Sequence, residues 1–279
     1  MKRGERRRVA IQGVEGSYHD IAARKYFGDE IETVACVTFR DVVETIRGEE
    51  DTVGLMAIEN TIAGSLLQNH ELIRGSGAWV TGEIKLRISH TLAALEGSEL
   101  EEIEEVDSHP IALAQCMDFL DRLKGVRLVE AEDTALSARR IAEEQRRGVA
   151  AVCSREAAER FGLAVLAEGI ETNKHNFTRF LALANKVEES AEANKASLVF
   201  SLPHSSGSLS QVLSILSFYD MSLTKIQSLP IIGREWEYLF YIDLTFKEYG
   251  RYRQSLDAIV PLLSDFRILG EYREGGQYV

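Results

Sequence analysis

Cysteine is scarce in this chain. Cys36, Cys116 and Cys153 lie far apart, and no C-x-x-C occurs among them. That spacing argues against a zinc site and against a disulfide framework. Each sits in an apolar context, where a buried reduced thiol is the simplest reading. No apolar run approaches the ~18 residues that a spanning helix needs. The basic opening "MKRGERRR" is followed by "VAIQGVEGSYHD" instead of an apolar stretch, so no secretory signal is read there. Positive charge is in deficit: the net charge is -12. Nonspecific attraction to nucleic acid or to an anionic membrane is therefore disfavoured. A local basic site remains workable, because salt screens the bulk field within ~10 Å. G-x-S-x-G, H-E-x-x-H, Walker A and a helix-opening G-x-G-x-x-G are all missing. The histidines are scattered, so no metal site is expected. The chain reads as soluble and cytoplasmic.

What is present is ordinary globular material: 279 residues, 45% hydrophobic and 27% charged, enough for two domains or one large one. The first part alternates β-rich runs with helical patterns. "RVAIQG" reads as a strand and "SYHDIAARKYF" as a helix, with Ser17 and Asp20 at capping-box spacing. "ETVACV" and "TFRDVVETIRG" repeat the scheme with Thr38 and Asp41. "TVGLMAIEN" follows as a strand. "IEEVDS" then precedes a helix "HPIALAQCMDFLDRL", "VRLVEA" precedes "DTALSARRIAEEQ", and "VAAVCS" precedes "REAAERFG". Such alternation means an α/β sheet with ligands at the C-terminal ends of its strands. The charged run "ANKVEESAEANKAS" reads as a linker. After it come a strand "SLVFSLP", a helix "GSLSQVLSILSFYD", the strands "MSLTKIQSLP" and "EYLFYIDLTF", a helix "QSLDAIVPLLSDF" and a strand "RILGEYRE". That βαββαβ order is ferredoxin-like.

Four stretches place polar residues where a strand ends. "GVEGSYHD" offers Gly13, Gly16 and Ser17 as an anion-facing turn or as a plain tight connection. "AIENTIAGS" carries Glu59, Asn60, Thr61, Gly64 and Ser65, which serve equally as a capped helix start. "DSHPIALAQC" sets Ser108, an N-cap compatible with a second role, and His109 before Pro110 at a first helical position, with Gln115 two turns on. "NKHNFTRFLAL" is the oddest. Asn173, Lys174, His175, Asn176, Thr178 and Arg179 crowd the mouth of an apolar strand, Phe180 to Leu183. Three cations, two amides and a hydroxyl there point to something anionic.

At these residues the chain resembles the prephenate dehydratase family. The shared marks are "GVEGSY", "IENTIAGS", "LRISHTL", "SHPIALAQC", "AAVCSREAAERFGL" and "NFTRF", in the family's order from about Arg8 to Leu183. The last part resembles its regulatory ACT domain through "LPHSSGSLSQVL" and "LTKIQSLP". The resemblance implies a catalytic domain over 1–190, built as two α/β lobes like a periplasmic binding protein. The chain would cross between them near Lys85 and return near Glu168. The ACT domain would span 196–275. It implies loss of water and carbon dioxide from prephenate to give phenylpyruvate, with no metal or organic cofactor, and feedback inhibition by L-phenylalanine. Arogenate dehydratase activity, or a non-enzymatic amino-acid sensor, are the alternatives.

The same resemblance makes Thr178, of the family's threonine-arginine-phenylalanine motif, catalytic. Chemistry adds Glu59, whose pKa two substrate carboxylates would raise until it served as the acid. Ser17, Asn60, Thr61, Gly64, Ser108, Gln115, Asn176, Arg179 and Phe180 are the expected substrate contacts. Arg179 would grip the pyruvyl carboxylate, since an ion pair to the departing carboxylate would stabilise the ground state more. L-Phenylalanine would bind at Ser206, Gly207, Ser208, Leu209, Ser222 and Leu223, between paired ACT domains of a homodimer or homotetramer. The family's glycine-alanine-leucine motif is here Gly207-Ser208-Leu209. Its glutamate-serine-arginine-proline motif is Gln227-Ser228-Leu229-Pro230, an asparagine is replaced by Ser222, and a serine by Thr61.

Overall fold

The computed structural model describes residues 6–187 and 190–279. It divides them among three sheets. The linker read from composition includes residues 188 and 189, which lie outside the described residues.

The first lobe starts with β1 (Arg7–Gln12), α1 (Tyr18–Phe27), β2 (Ile31–Cys36), α2 (Phe39–Gly48), β3 (Val53–Asn60), the short β4 (Gly64–Ser65), α3 (Leu67–Ser76) and β5 (Trp79–Arg87). Both expected helix starts form. Ser17 accepts the Asp20 amide, and Thr38 and Asp41 make a reciprocal capping box. The Asp20 carboxylate reaches back one residue further than a box requires, to the Gly16 N–H at 2.9 Å.

The chain then crosses through 88–90 to a second lobe. This holds β6 (Thr91–Ala94), β7 (Glu105–Ser108), α4 (Pro110–Gln115), α5 (Met117–Leu120), β8 (Arg127–Glu130), α6 (Thr134–Glu144), β9 (Val149–Cys153), α7 (Arg155–Arg160) and β10 (Ala164–Glu168). The single helix expected from "HPIALAQCMDFLDRL" breaks at Cys116, whose backbone leaves the helical region. Residues 169–176 return to the first lobe as β11 (Phe177–Ala184). The two crossings are laced together: Ile88 N–H donates to the Asn176 carbonyl, and Ile170 N–H to that of His90.

The third unit is β12 (Lys195–Ser201), α8 (Ser208–Phe218), β13 (Ser222–Pro230), β14 (Tyr238–Thr245), α9 (Tyr249–Ile259) and β15 (Ser264–Tyr272). Its sheet order β13-β14-β12-β15 is the ferredoxin-like one. A final β16 (Gln277–Tyr278), not foreseen from the sequence, pairs with β5 of the first lobe.

The first-lobe sheet runs β16-β5-β11-β3-β1-β2, and its two faces have different partners. Val9, Ile11, Leu55, Ala57, Phe180 and Ala182 pack with α1. Ala10, Met56, Ile58, Leu181 and Leu183 pack with α2, α3 and the back of the ferredoxin-like sheet, through Val199, Tyr241, Leu269 and Tyr272. The two sheets approach so closely that a Cβ on Gly270 would collide with the Val80 carbonyl. The strands of the first-lobe sheet thus carry two sets of side chains. One faces the space between the lobes, the other faces the third unit.

Candidate active site

Between the lobes lies a cavity of about 1270 Å³. Tyr18, Asn60, His90, Gln115, Thr178 and Phe180 line it; Glu59 and Arg179 do not. The reason is strand geometry. Side chains alternate along β11, so Thr178 and Phe180 face the cleft while Arg179 points behind the sheet with Leu181. On β3 the same alternation, continued from Leu55 and Ala57, would carry Glu59 into the cleft. It does not, because the register slips. Arg179 pairs with Glu59 but Phe180 with Ala57, leaving Ile58 as an extra residue. The bulge turns Glu59 to the back and Asn60 to the front.

Glu59, expected as an acid beside the substrate, is therefore turned away from the cleft. It accepts a bond from Lys225 of β13 at 2.9 Å, and Lys225 also bonds Ser65 at 2.7 Å. Arg179, expected on a substrate carboxylate, also points away from the cleft. Its guanidinium donates to Glu83 at 2.6 Å, to Asp243 of β14 at 2.5 Å and to Tyr272 at 3.2 Å. Lys195 completes the cluster on Glu83 at 2.8 Å, and Ser197 bonds Asp243 at 2.5 Å. Burial alone would raise the Glu83 and Asp243 pKa values, but the facing cations hold both carboxyls below their usual range. Arg179 is itself held well above its ordinary value, since those carboxylates outweigh its desolvation. This is a structural junction between the first lobe and the ferredoxin-like unit.

In front of the sheet the polar groups form a chain whose sense is fixed. Asn60 Oδ1 accepts the backbone N–H groups of Ile62 and Ala63 at 2.9 and 2.8 Å, so its nitrogen must be the donor elsewhere. That Nδ2 donates to Asn176 Oδ1 at 2.8 Å and, with its two hydrogens shared among three acceptors, to Thr178 Oγ1 at 3.0 Å and the Phe177 carbonyl at 3.2 Å. Asn176 Nδ2 then donates to Gln115 Oε1 at 2.8 Å. Thr178 accepts from Asn60, and its own proton is left to donate into the cleft. A hydroxyl that accepts one bond donates the next one more strongly.

The other expected residues have structural posts. Ser17 is buried and caps α1. Ser108 is buried and donates to the Val152 carbonyl at 2.6 Å; the cap of α4 is His109 instead, accepting the Ile111 N–H. Thr61 ties strand ends together, donating to the His175 carbonyl and accepting the Phe177 N–H, both at 2.9 Å. Gly64 is exposed in the β4 pairing. Gly13 and Gly16 hold the lobes close: a Cβ on Gly16 would press on Ala157, and Ser154 Oγ bonds the Gly16 carbonyl at 2.6 Å. Asn173, Lys174 and His175 are exposed outside the cleft, with Lys174 folded back on the Glu171 carbonyl at 2.7 Å. So the three cations of that stretch do not form the anion site. Two groups unassigned from the sequence, Tyr18 and His90, line the cavity. The signal for them was present: both fall within motifs already noted, "GVEGSY" and "LRISHTL".

Fold and cleft together define a two-lobed α/β protein with an interlobe site and an appended ferredoxin-like domain. Residues 9–188 match the family model for prephenate dehydratase. Arogenate dehydratase/prephenate dehydratase 2, chloroplastic, of Arabidopsis thaliana is 34% identical over 96% of this chain and 73% of its own length. Among solved structures, GqqA, described as a novel type of quorum quenching acylase, gives a TM-score of 0.86 at 27% identity, over 96% of this chain and 98% of that one. Prephenate dehydratase from Arthrobacter aurescens in complex with L-Phe gives 0.85 at 26% identity, over 96% and 90%. The chain belongs to the prephenate dehydratase family and is an enzyme, a carbon–oxygen lyase.

Removing one partner from a buried ion cluster costs about 3–5 kcal/mol. Arg179→Leu is therefore expected to lower the thermal midpoint by several degrees while the folded variant keeps KM within about twofold. A large rise in KM at unchanged thermal stability would return Arg179 to the substrate.

Proposed function

We propose that the enzyme eliminates water and carbon dioxide from prephenate to give phenylpyruvate. The observation that carries this is the Asn60–Thr178 hydrogen bond. It presents one hydroxyl proton to the cleft, framed by the amides of Asn176 and Gln115. Prephenate is a dianion whose ring hydroxyl is a poor leaving group. A donor that strengthens its bond as charge builds on the departing oxygen lowers the barrier, whereas one that binds substrate and transition state equally does not. Neutral donors suit the ring carboxylate too, because a strong ion pair there would hold a charge that must vanish.

Arogenate, the amino analogue, is the alternative. Its ammonium would need an acceptor; the carboxylates that line the cleft, Glu132 and Asp133 among them, lie outside the group bonded around Thr178, so a comparison of turnover decides between the two substrates. Acyl transfer of the kind named for GqqA would need a base beside the hydroxyl. The partner of Thr178 is a donor, so the hydroxyl is not activated as a nucleophile.

The ferredoxin-like domain reads as a regulatory ACT domain binding L-phenylalanine between two copies of the chain. Gly207 caps α8, and Ser222 follows its far end. Eleven helical residues span about 16 Å, so Ser206–Leu209 and Ser222–Leu223 do not meet within one subunit. A two-fold axis beside α8 runs the partner helix antiparallel and brings one half-site against the other. β13 ends its sheet, and Phe218 and Ile226 are exposed nearby, which supports pairing there.

Thr178→Ala is expected to lower kcat on prephenate by roughly 10²-fold or more, with Thr178→Ser retaining substantial activity and arogenate turned over more slowly by the wild type. Equal kcat in wild type and the alanine variant would remove Thr178 from the mechanism. For regulation, calorimetry and turnover together decide. Millimolar L-phenylalanine should bind and inhibit, and absence of binding defeats the regulatory reading.

A further inference from the structure

The hydroxyl of Thr178 is a hydrogen-bond donor but no source of a proton, since a free alkoxide beside an amide N–H is too costly to leave behind. The proton that turns the departing hydroxide into water must come from a titratable group. Among the residues that line the cleft, one histidine has its protonation pattern dictated by the amide chain.

That residue is His90, on the first crossing and only 2% exposed. Its Nε2 lies 3.0 Å from Gln115 Oε1. Gln115 Oε1 already accepts from Asn176, whose orientation descends from the Ile62 and Ala63 amides, so it is an acceptor and His90 Nε2 must carry a hydrogen. The basic nitrogen of His90 is therefore Nδ1. It sits 2.9 Å from the hydroxyl oxygen of Tyr18, which also lies 2.7 Å from the Ser89 carbonyl. A carbonyl only accepts, and Tyr18 has a single proton for two contacts. With neutral His90 the arrangement is one proton short. With Nδ1 protonated, Nδ1–H donates to Tyr18, Tyr18 donates to Ser89, and every contact is made.

The surroundings set when that proton is held. Burial lowers the His90 pKa and favours the neutral ring, against the opposing pull of the Gln115 bond and the Glu171 carboxylate. Tyr18 faces it from α1, Gln115 from α4, and Glu171 from the returning crossing, accepting the His90 backbone N–H at 2.8 Å. Glu171 is faced in turn by Arg87 at 4.0 Å and Lys174 at 3.8 Å. The Cys116 thiol, affected by Glu171, is pushed up to about 12 by burial and stays neutral. A bound dianion adds the negative charge that favours the imidazolium.

We propose that Tyr18 and His90 are the proton-supplying pair of the cleft, an inference that rests on the dehydratase reading above. As the ring C–O bond breaks, its electron pair goes to oxygen; Tyr18 turns its proton from the Ser89 carbonyl to that oxygen, which leaves as water. His90 Nδ1–H restores the tyrosine. The bond to the ring carboxylate gives its pair to the new aromatic ring, and carbon dioxide departs. His90 ends neutral with hydrogen on Nε2, and solvent resupplies Nδ1.

The test is the pH dependence of kcat on prephenate for the full-length wild type, H90Q and Y18F, with thermal melts alongside. Glutamine keeps an N–H for Gln115 but has no titrating nitrogen. In the wild type kcat should fall as pH rises through one ionisation. H90Q should lose that ionisation, and Y18F should lose about 10²-fold in kcat with little change in KM. A flat wild-type profile overturns the proposal. So does an H90Q variant that keeps the wild-type ionisation, or a purely structural pattern in which melting temperatures fall but rate and profile do not. If H90Q does not fold, wild-type kcat in Y18F is by itself the contradicting result. A wild type that turns over neither prephenate nor arogenate fails differently, defeating the function itself and the proposal with it.

Discussion

Consecutive residues of a regular strand face opposite ways, and the enzyme is built around that constraint, and one break in it, at one place. Thr178 and Arg179 are neighbours on β11, paired with Asn60 and Glu59 on β3. One residue of each strand faces the cleft and one faces the ferredoxin-like domain. A single bulge at Ile58 brings the two strands into that correspondence. In front, Asn60 meets Thr178; behind, Glu59 meets Lys225 and Arg179 meets Asp243. Slip the register by one and Thr178 exchanges its amide partner for a carboxylate.

The two sides are chemically unlike, and each suits its task. Behind the sheet, full charges are buried together, where desolvation is offset only by several close partners at once. Arg179, Lys195, Glu83 and Asp243 satisfy one another, with Ser197 and Tyr272 filling the remaining valences. Such a cluster specifies one way of docking the third unit. In front, the groups that contact one another are neutral, and their direction is imposed by two backbone amides that cannot reverse. Preorganised dipoles of this kind need no rearrangement when charge moves from carboxylate to leaving oxygen.

Much of this was legible in the residues. Strand–helix alternation gave three sheets their elements, and the Thr38–Asp41 box and Pro110 mark real helix starts. Thr178 could be placed at the mouth of an apolar strand. Arg179 could have been excluded by the same period of two, because Phe180 and Ala182 share the face of Thr178. Glu59 could not. Continued from Leu55 and Ala57 it belongs in the cleft, and no local signature in "MAIEN" announces a bulge that depends on pairing with a strand over a hundred residues away. Lys174 misled by composition: a long flexible cation binds the nearest carbonyl, here its own loop. Ser108 misled by position, since the next residue took the cap. Hydrogen-bond direction, from which the state of His90 follows, is a property of assembled side chains and has no trace in spacing.

The central claim is that Asn60 and Thr178 act as one unit, the amide donating into the hydroxyl that donates to substrate. A double-mutant cycle on kcat with Asn60→Ala, Thr178→Ala and the combined variant measures this directly. If the account holds, the combined variant falls well short of the product of the two single losses, because the part of the Asn60 effect that runs through the hydroxyl is already gone in Thr178→Ala. Losses that multiply across the two positions would mean that Asn60 and Thr178 work independently, and would contradict it.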